Sequence, residues 1–199
     1  MVEAHSDAAV IPQVRRIRPA EWARLRALRV HALADAPLAF GSTLSQEEAF
    51  PESIWRERAA GGAAGEDRAT FIAEQDGRWI GLATGLITGL ADPMLVGMFV
   101  DGSARRRGVA VALIESVVGW VQSRGATRLV LWVTSGNEAA IALYRRCGFR
   151  PTGKTRSVAH TPTLIENEMI RDLHSSAGAD IARLFQGQSD GTTSEGGTQ

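Results

Sequence analysis

The stretch Met98-Phe99-Val100-Asp101-Gly102-Ser103-Ala104-Arg105-Arg106-Arg107-Gly108-Val109-Ala110 joins a predicted strand over residues 94–100 to a predicted helix over residues 108–123. A turn into a helix N-terminus leaves backbone N–H groups without partners, and the helix dipole adds positive charge behind them. Small residues at Gly108 and Ala110 let an anion approach those groups, and three arginines precede them. The stretch therefore predicts a phosphate or pyrophosphate site. The alternative is a solvated arginine cluster ahead of an ordinary helix.

Hydrophobic spacing divides the rest of the chain into short strands and helices. Strands are predicted over residues 14–17, 70–74, 79–87, 94–100, 128–134, 149–158 and 164–173. Helices are predicted over residues 19–33, 44–59, 108–123 and 137–146. Gln75-Asp76-Gly77 predicts a hairpin turn, because glycine accepts a positive φ there. The order β-α-α-β-β-β-α-β-α-β-β indicates an α/β protein, a mixed sheet with helices on both faces.

Two motifs resemble those of the GCN5-related N-acetyltransferases (GNAT superfamily). Arg105-x-x-Gly108-x-Ala110 resembles the acyl-CoA pyrophosphate loop of that family. Asn137-x-x-Ala140-x-x-Leu143-Tyr144-x-x-x-Gly148-Phe149 begins 27 residues after Ala110 and is similar to the family's second signature. The motifs stand in the family's order, and the resemblance covers about residues 15–173. It implies a GNAT-like acyl-CoA N-acyltransferase fold with a central mixed sheet of six to seven strands. The implied activity is transfer of an acetyl group from acetyl-CoA to a primary amine.

The resemblance also implies roles for individual residues. Main-chain groups of Met98 and Val100, on either side of Phe99, would pair with the pantetheine arm and polarise the thioester carbonyl. Arg105 would lie near the pyrophosphate, which would be held by the amides of Arg106, Arg107, Gly108, Val109, Ala110 and Val111. Asn137 would contact the cofactor where two strands separate. Tyr144 would protonate the departing CoA thiolate, the alternative being a core aromatic on an amphipathic helix.

The proton acceptor is the part of the family pattern that this sequence lacks. Many members carry a glutamate on the strand before the loop, whereas residues 94–100 contain no carboxylate. The remaining candidates are Glu47, Glu48, Glu74, Asp92, Glu168 and His160. Glu47 and Glu48 are favoured because they follow residues 40–43, in a region that lines the acceptor side in similar proteins. For each candidate the alternative is a solvated surface carboxylate.

Composition restricts the other functional classes. The chain has 199 residues with 22 basic and 22 acidic side chains, and this balance argues against a dedicated nucleic-acid binder. The single cysteine, Cys147, cannot form an internal disulfide or a zinc site, and we interpret it as a packing residue. We see no signal peptide and no apolar run long enough to span a bilayer, so we expect a soluble, cytoplasmic protein without membrane or metal partners. The residues leave open whether it forms a homodimer.

Residues 148–155 match the nucleotide-binding P-loop pattern G-x-x-x-x-G-K-[ST]. That motif requires a buried strand before it and a helix after it. Here a helix-like segment precedes the match, and Pro162 follows without helical spacing. We therefore expect the match to be accidental. A non-catalytic acyl-CoA-binding protein on the same fold stays open as another class.

We predict a flexible N-terminus over residues 1–12, an N-acetyltransferase domain over residues 13–173 and a mostly disordered tail over residues 174–199. The tail has no large apolar side chain from Gly187 onward. A small-molecule amine is the first choice of acceptor, because the sequence shows no extended acidic or basic groove. A protein N-terminus or lysine is the alternative. Acetyl is the expected acyl group.

Overall fold

The computed structural model describes residues 12–158 and 161–173. The predictions made for residues 1–11, for His160 and for the tail over residues 174–199 lie outside this range. Within the described part, no helix is both long and apolar enough to cross a membrane.

The described residues form one seven-stranded mixed sheet with the strand order β1-β2-β3-β4-β5-β7-β6. The strands are Gln13–Arg16 (β1), Arg68–Gln75 (β2), Arg78–Leu86 (β3), Met94–Val100 (β4), Arg128–Thr134 (β5), Arg150–Val158 (β6) and Thr161–Asp172 (β7). Strands β4 and β5 are parallel, whereas the other neighbouring pairs are antiparallel. The parallel pair requires a crossover, which a helix supplies. The predicted mixed sheet and its strand count are confirmed.

Five α-helices of the described chain cover the two faces of this sheet. They are Trp22–Asp35 (α1), Leu44–Glu48 (α2), Glu52–Ala64 (α3), Val109–Ser123 (α4) and Glu138–Arg146 (α5). Buried residues of α1 and α3, including Leu33 and Trp55, form one apolar core with Ile72 and Leu82 of the sheet. Buried residues of α4 and α5 form the second core with the opposite face. Helices therefore lie on both faces, as predicted.

The single helix predicted over residues 44–59 is wrong, because the structure has α2 and α3 there. Pro51 separates them: its ring has no N–H, and it disfavours a helical conformation at the residue before it. Thr43 caps α2 through its side chain, which accepts a hydrogen bond from the backbone of Gln46. Three helices thus stand between the first two strands, where the sequence predicted two.

A β-bulge in β4 positions the region where the two parallel strands part. Leu82 pairs with Phe99 and Thr84 pairs with Val96, so two residues of β4 lie opposite one residue of β3. One of them, Gly97, has a φ of +63°, which favours glycine. Within the described strands, β4 and β5 align only through Met94 and Val130. A cleft therefore opens between them beyond this pair.

The P-loop match falls on a strand, as the sequence analysis anticipated. Gly148 follows the end of α5, and β6 then runs along the edge of the sheet and leads into β7. A phosphate-binding P-loop cannot form without its following helix. Cys147, at the C-terminal end of α5, is buried, and burial raises the pKa of its thiol. This agrees with its interpretation as a packing residue.

Candidate active site

The loop over residues 101–108, which we call the phosphate loop, ends in the first turn of α4. Gly108 is the N-cap with a φ of +82°, and Arg106 also has a positive φ, of +62°. The first intrahelical bond in this turn runs from the amide of Ala112 to the carbonyl of Gly108. The amides of Val109, Ala110 and Val111 therefore have no intrahelical partner. The space where a Cβ of Gly108 would stand is open. This geometry fits a pyrophosphate group.

The three arginines of the phosphate loop differ in their contacts. The Nε of Arg105 donates a hydrogen bond to the carbonyl of Val100, 2.9 Å away, and its guanidinium pairs with Asp35 of α1. Arg106 and Arg107 are exposed and contact no carboxylate in the described part of the chain. Arg105 thus holds the loop against β4 and α1, whereas Arg106 and Arg107 are available to an anion.

Asp101 fixes the start of the phosphate loop. Its carboxylate accepts hydrogen bonds from the amide and hydroxyl of Ser103, at 2.9 and 2.5 Å, and its Oδ2 lies 3.0 Å from Nε2 of His31. These hydrogen bonds, those from Ser103 first, lower the pKa of Asp101 to about 2. The imidazole of His31 also packs edge-on against Phe99, with ring centroids 5.7 Å apart. A second link therefore joins the loop to α1.

Asn137 and Tyr144 lie on the segment that leaves β5. The side chain of Asn137 caps α5, where its Oδ1 accepts a hydrogen bond from the amide of Ala140 at 3.1 Å. Tyr144 is buried on α5 against Phe149, with ring centroids 5.9 Å apart. Burial raises the pKa of the Tyr144 phenol, which is therefore protonated at neutral pH. Within the described residues, no group forms a hydrogen bond to that phenol.

A cavity of about 350 Å³ lies between the α1–α3 segment and the sheet, beside the bulge of β4. Gly97 of the bulge and Trp132 of β5 both line it, so the cavity reaches the two strands that part. Phe40 and Leu82 add apolar walls. The charged side chains that line it are Arg29, Arg58, Arg68, Arg156, Glu47 and Glu166. We call it the arginine cavity.

Glu47 is the one favoured carboxylate that the structure brings into the arginine cavity. It is 2% exposed and accepts hydrogen bonds from Nε and Nη2 of Arg29 at 3.1 and 3.0 Å, from Ser42 at 2.5 Å and from Arg58 at 3.2 Å. Burial opposes ionisation, but the hydrogen bonds and charges of Arg29, Ser42 and Arg58 outweigh it and lower the pKa of Glu47. A carboxylate held in this way is a weak proton acceptor, and it fixes the two guanidinium groups.

Other candidate carboxylates lie elsewhere. Glu48 is exposed and lines a separate depression on the outer side of α1. Glu74 pairs with Arg15 and Arg24, and Glu168 pairs with Lys154 at 3.3 Å. Asp92 is exposed in the loop before β4. Of the two favoured carboxylates, Glu47 thus lines the arginine cavity and Glu48 lies outside it.

Sequence reasoning missed Arg29, Arg58, Arg68, Arg156 and Glu166 as members of one cavity. The Oε2 of Glu166 accepts a hydrogen bond from Nε of Arg156 at 2.7 Å. Arg156 also stacks on Trp132, with its guanidinium carbon 4.3 Å from the ring centroid. One signal was present in the sequence: glutamates at positions 166 and 168 are two residues apart in a predicted strand, which places them on one face.

A family model described as "Acetyltransferase (GNAT) family" matches residues 28–149, which include the bulge, the phosphate loop and α5. The chain belongs to this family. The acetyl-CoA-dependent N-acetyltransferase predicted from the two motifs is thereby confirmed, and acetyl-CoA is its co-substrate.

Three relatives place this GNAT enzyme among known proteins. The [Ribosomal protein bS18]-alanine N-acetyltransferase of Escherichia coli (strain K12) is 31% identical over 125 residues, or 63% of this chain and 82% of the relative. The crystal structure of a nourseothricin acetyltransferase is 28% identical, with a TM-score of 0.51 over 54% of this chain and 66% of that one. PaiA N-acetyltransferase from Thermoplasma acidophilum, solved with coenzyme A, has a TM-score of 0.64 at 12% identity and covers 81% of this chain and 99% of that one.

Proposed function

We propose that this acetyltransferase acetylates the primary amine of a small molecule by direct attack on the acetyl-CoA thioester. The observation that carries the proposal is the arginine cavity, which lies beside the bulge of β4 and occupies about 350 Å³. Cavities of about 300–1,000 Å³ are typical of small-molecule sites. The cavity is bounded by the sheet on one side and by α1, α2 and α3 on the other.

In the proposed reaction, main-chain groups bind and orient acetyl-CoA, and a side chain supplies a proton. Amides of the first turn of α4, with Arg106 and Arg107, hold the pyrophosphate. Main-chain groups of Met98 and Val100 orient the thioester, and the carbonyl of Val100 shares its lone pairs with Arg105. The amine nitrogen forms a bond to the acetyl carbon while the carbon–sulfur bond breaks. In this proposal Tyr144 gives its proton to the leaving thiolate, and the proton that the attacking nitrogen loses as the amide forms restores the phenol through solvent.

The acceptor amine must lose its proton before it attacks, because an ammonium has no lone pair. Positive charge around an ammonium lowers the ammonium pKa and favours the neutral amine. The arginine cavity supplies such surroundings through four guanidinium groups. Glu47 keeps two of these groups in place and lines the same cavity. The positive charge of the cavity thus favours the neutral amine, although β4 carries no glutamate to take its proton.

A protein N-terminus is the second candidate acceptor, and the comparison with the E. coli enzyme favours it. That relative is named for an alanine of ribosomal protein bS18. An N-terminal peptide differs from a free amino acid in that its first carboxyl group is an amide. The two candidates therefore place different groups next to the reacting amine.

A direct competition separates these candidates. Release of CoA is followed with a thiol reagent while the enzyme is offered acetyl-CoA and a panel of small amines, nourseothricin among them, or a peptide with the N-terminal sequence of bS18. We expect turnover with members of the small-amine panel and none with the peptide. Turnover of the peptide alone would replace the proposed function with the second candidate.

A further inference from the structure

The charges that line the arginine cavity do not balance. Among the described residues, four arginines and two glutamates line it, which leaves an excess of two positive charges there. Glu47 is shared between Arg29 and Arg58, and Glu166 pairs with Arg156 at 2.7 Å. Both carboxylates are therefore already engaged by guanidinium groups. The excess charge remains for whatever enters the cavity.

Arg68 and Arg58 carry this excess. Arg68, at the start of β2, is partly buried and forms no side-chain hydrogen bond or ion pair within the described residues. Arg58 uses Nη1 on Glu47 at 3.2 Å and is held by the rings of Phe50 and Trp55, whose centroids lie 4.8 and 5.0 Å from its guanidinium carbon. Within the described residues its other two guanidinium nitrogens have no hydrogen-bond partner. Arg68 has no counter-ion there and Arg58 shares one with Arg29, and partly buried cations with too little counter-charge favour the entry of an anion.

Arg29 extends the positive field to the reacting position. Its Nη1 is buried and has no hydrogen-bond partner in the described structure. That nitrogen lies 4.0 Å from the point where a Cβ of Gly97 would stand, at the bulge of β4. Gly97 precedes Met98, whose main chain we assign to the thioester. Positive charge therefore surrounds the path from the cavity to the thioester.

We infer that the acceptor carries an anionic group, a carboxylate or a phosphate, in addition to its amine, and that Arg58 and Arg68 bind this group. The inference rests on the proposed function, because it specifies the acceptor of that reaction. Apolar walls at Phe40 and Leu82 suit an aliphatic or aromatic portion between or beside the two groups. Acceptors that carry only cationic groups meet no unengaged carboxylate among the described lining residues.

Binding of candidate acceptors to the CoA-loaded enzyme tests the inference without requiring acetyl transfer. The twenty protein L-amino acids are compared with their carboxamides, and O-phosphoethanolamine with ethanolamine, first by thermal shift and then by titration calorimetry at neutral pH. We expect at least one anionic member to bind about tenfold or more tightly than its neutralised partner, as is typical of a charge-assisted hydrogen bond. The amino-acid pairs report a carboxylate site and the phosphoethanolamine pair reports a phosphate site.

The variants Arg68→Gln and Arg58→Gln should each remove most of this preference and leave the affinity for CoA unchanged. Arg78→Gln is the matched control, because it deletes an exposed arginine at the start of β3, outside the cavity. If Arg58→Gln fails to fold, Arg68→Gln decides alone, since Arg68 holds no other described side chain.

The same titrations show how the inference fails. If no anionic member binds better than its partner, or if Arg68→Gln lowers both affinities equally, the inference is overturned. An anion preference that depends on Arg68 supports it even when none of these compounds is acetylated. In that case the proposed function fails separately, because CoA release with the same compounds measures transfer and not binding.

Discussion

The phosphate loop and the arginine cavity offer different parts of the chain to the ligands that we propose for them. The loop presents backbone amides from consecutive residues around Gly108, and its conformation depends on positive φ angles and a helix start. The cavity presents side chains from three helices and six strands, α1 to α3 and β2 to β7. The first site is local in sequence, and the second exists only after the whole sheet has formed. Recognition by backbone amides suits a ligand that stays the same, such as CoA. The side chains that line an acceptor cavity can differ between relatives without changing the fold.

The largest expected effect belongs to Tyr144 of α5. Tyr144→Phe keeps the ring against Phe149 and deletes the proton donor. General acid catalysis is typically worth about 10²–10⁴-fold, so kcat should fall by that much while the affinity for acetyl-CoA stays the same. Steady-state kinetics and calorimetry measure the two quantities. Wild-type turnover in the variant would make Tyr144 a core residue only.

Because the sequence contains a single tyrosine, its ionisation can be followed without ambiguity. Ultraviolet absorbance of the folded wild-type protein should show the phenol titrating above the usual tyrosine pKa of about 10, since burial raises it. A phenol pKa at the usual tyrosine value would show that the hydroxyl is exposed to solvent.

Gly108→Glu should abolish the phosphate loop as a cofactor site. The carboxylate would stand where the pyrophosphate lies, and like charges this close cost several kcal/mol, which corresponds to a loss of about a hundredfold or more in CoA affinity. Calorimetry with CoA measures it. Gly119→Glu is the matched control, because Gly119 is exposed on the same helix with open space around it.

A second variant separates charge from backbone strain at this position. Asparagine tolerates the left-handed conformation better than most residues, so Gly108→Asn should keep much more of the affinity than Gly108→Glu. Equal losses in the two variants would show that the conformation of Gly108, and not close approach to an anion, decides binding.

Glu47→Gln should lower the stability of the protein through the arginine cavity and leave the phosphate loop unchanged. Breaking a buried ion pair typically costs about 3–5 kcal/mol, and about 1 kcal/mol shifts the melting temperature of a domain this size by about 2–4 °C. We expect a fall of about 6–20 °C, measured by calorimetry, with CoA affinity unchanged. Glu48→Gln, at the exposed neighbouring position, should change stability by less than about 0.5 kcal/mol.

The pH dependence of stability provides a separate test of Glu47. Its pKa is lowered by folding, so its contribution is present above the usual glutamate pKa of about 4.3 and is lost as the pH falls through the lowered value. Wild type should therefore lose stability more steeply than Glu47→Gln on acidification below about pH 4.3. Parallel curves would mean that Glu47 is not held in its ionised form.

Lys154→Ala should have the smallest effect, because the P-loop match is accidental. The Lys154 side chain is 73% exposed and forms a surface ion pair with Glu168, and such pairs contribute about 0–1 kcal/mol. CoA affinity should be unchanged in the same titration. A large loss would place a phosphate near β6 instead of α4.

The difference between the two regions explains how much the sequence predicted. The phosphate loop, β4, β5 and α5 follow from local spacing and from motifs whose residues are neighbours along the chain. Arg29 and Glu47 are 18 residues apart and meet only because α1 and α2 fold back on each other. Arg156 and Glu166 meet across a strand pair at the other end of the chain. No local pattern distinguishes these arginines from the other basic residues of the sequence.

The contacts of α1 with the phosphate loop couple the two sites. Arg105 pairs with Asp35 and Asp101 lies against His31, so the loop is attached at two points to the helix that also carries Arg29. A cofactor that immobilises the loop therefore also restrains one wall of the arginine cavity. Such linkage is reciprocal, so we expect each ligand to raise the affinity of the enzyme for the other. Calorimetry with the acceptor in the presence and absence of CoA measures this coupling.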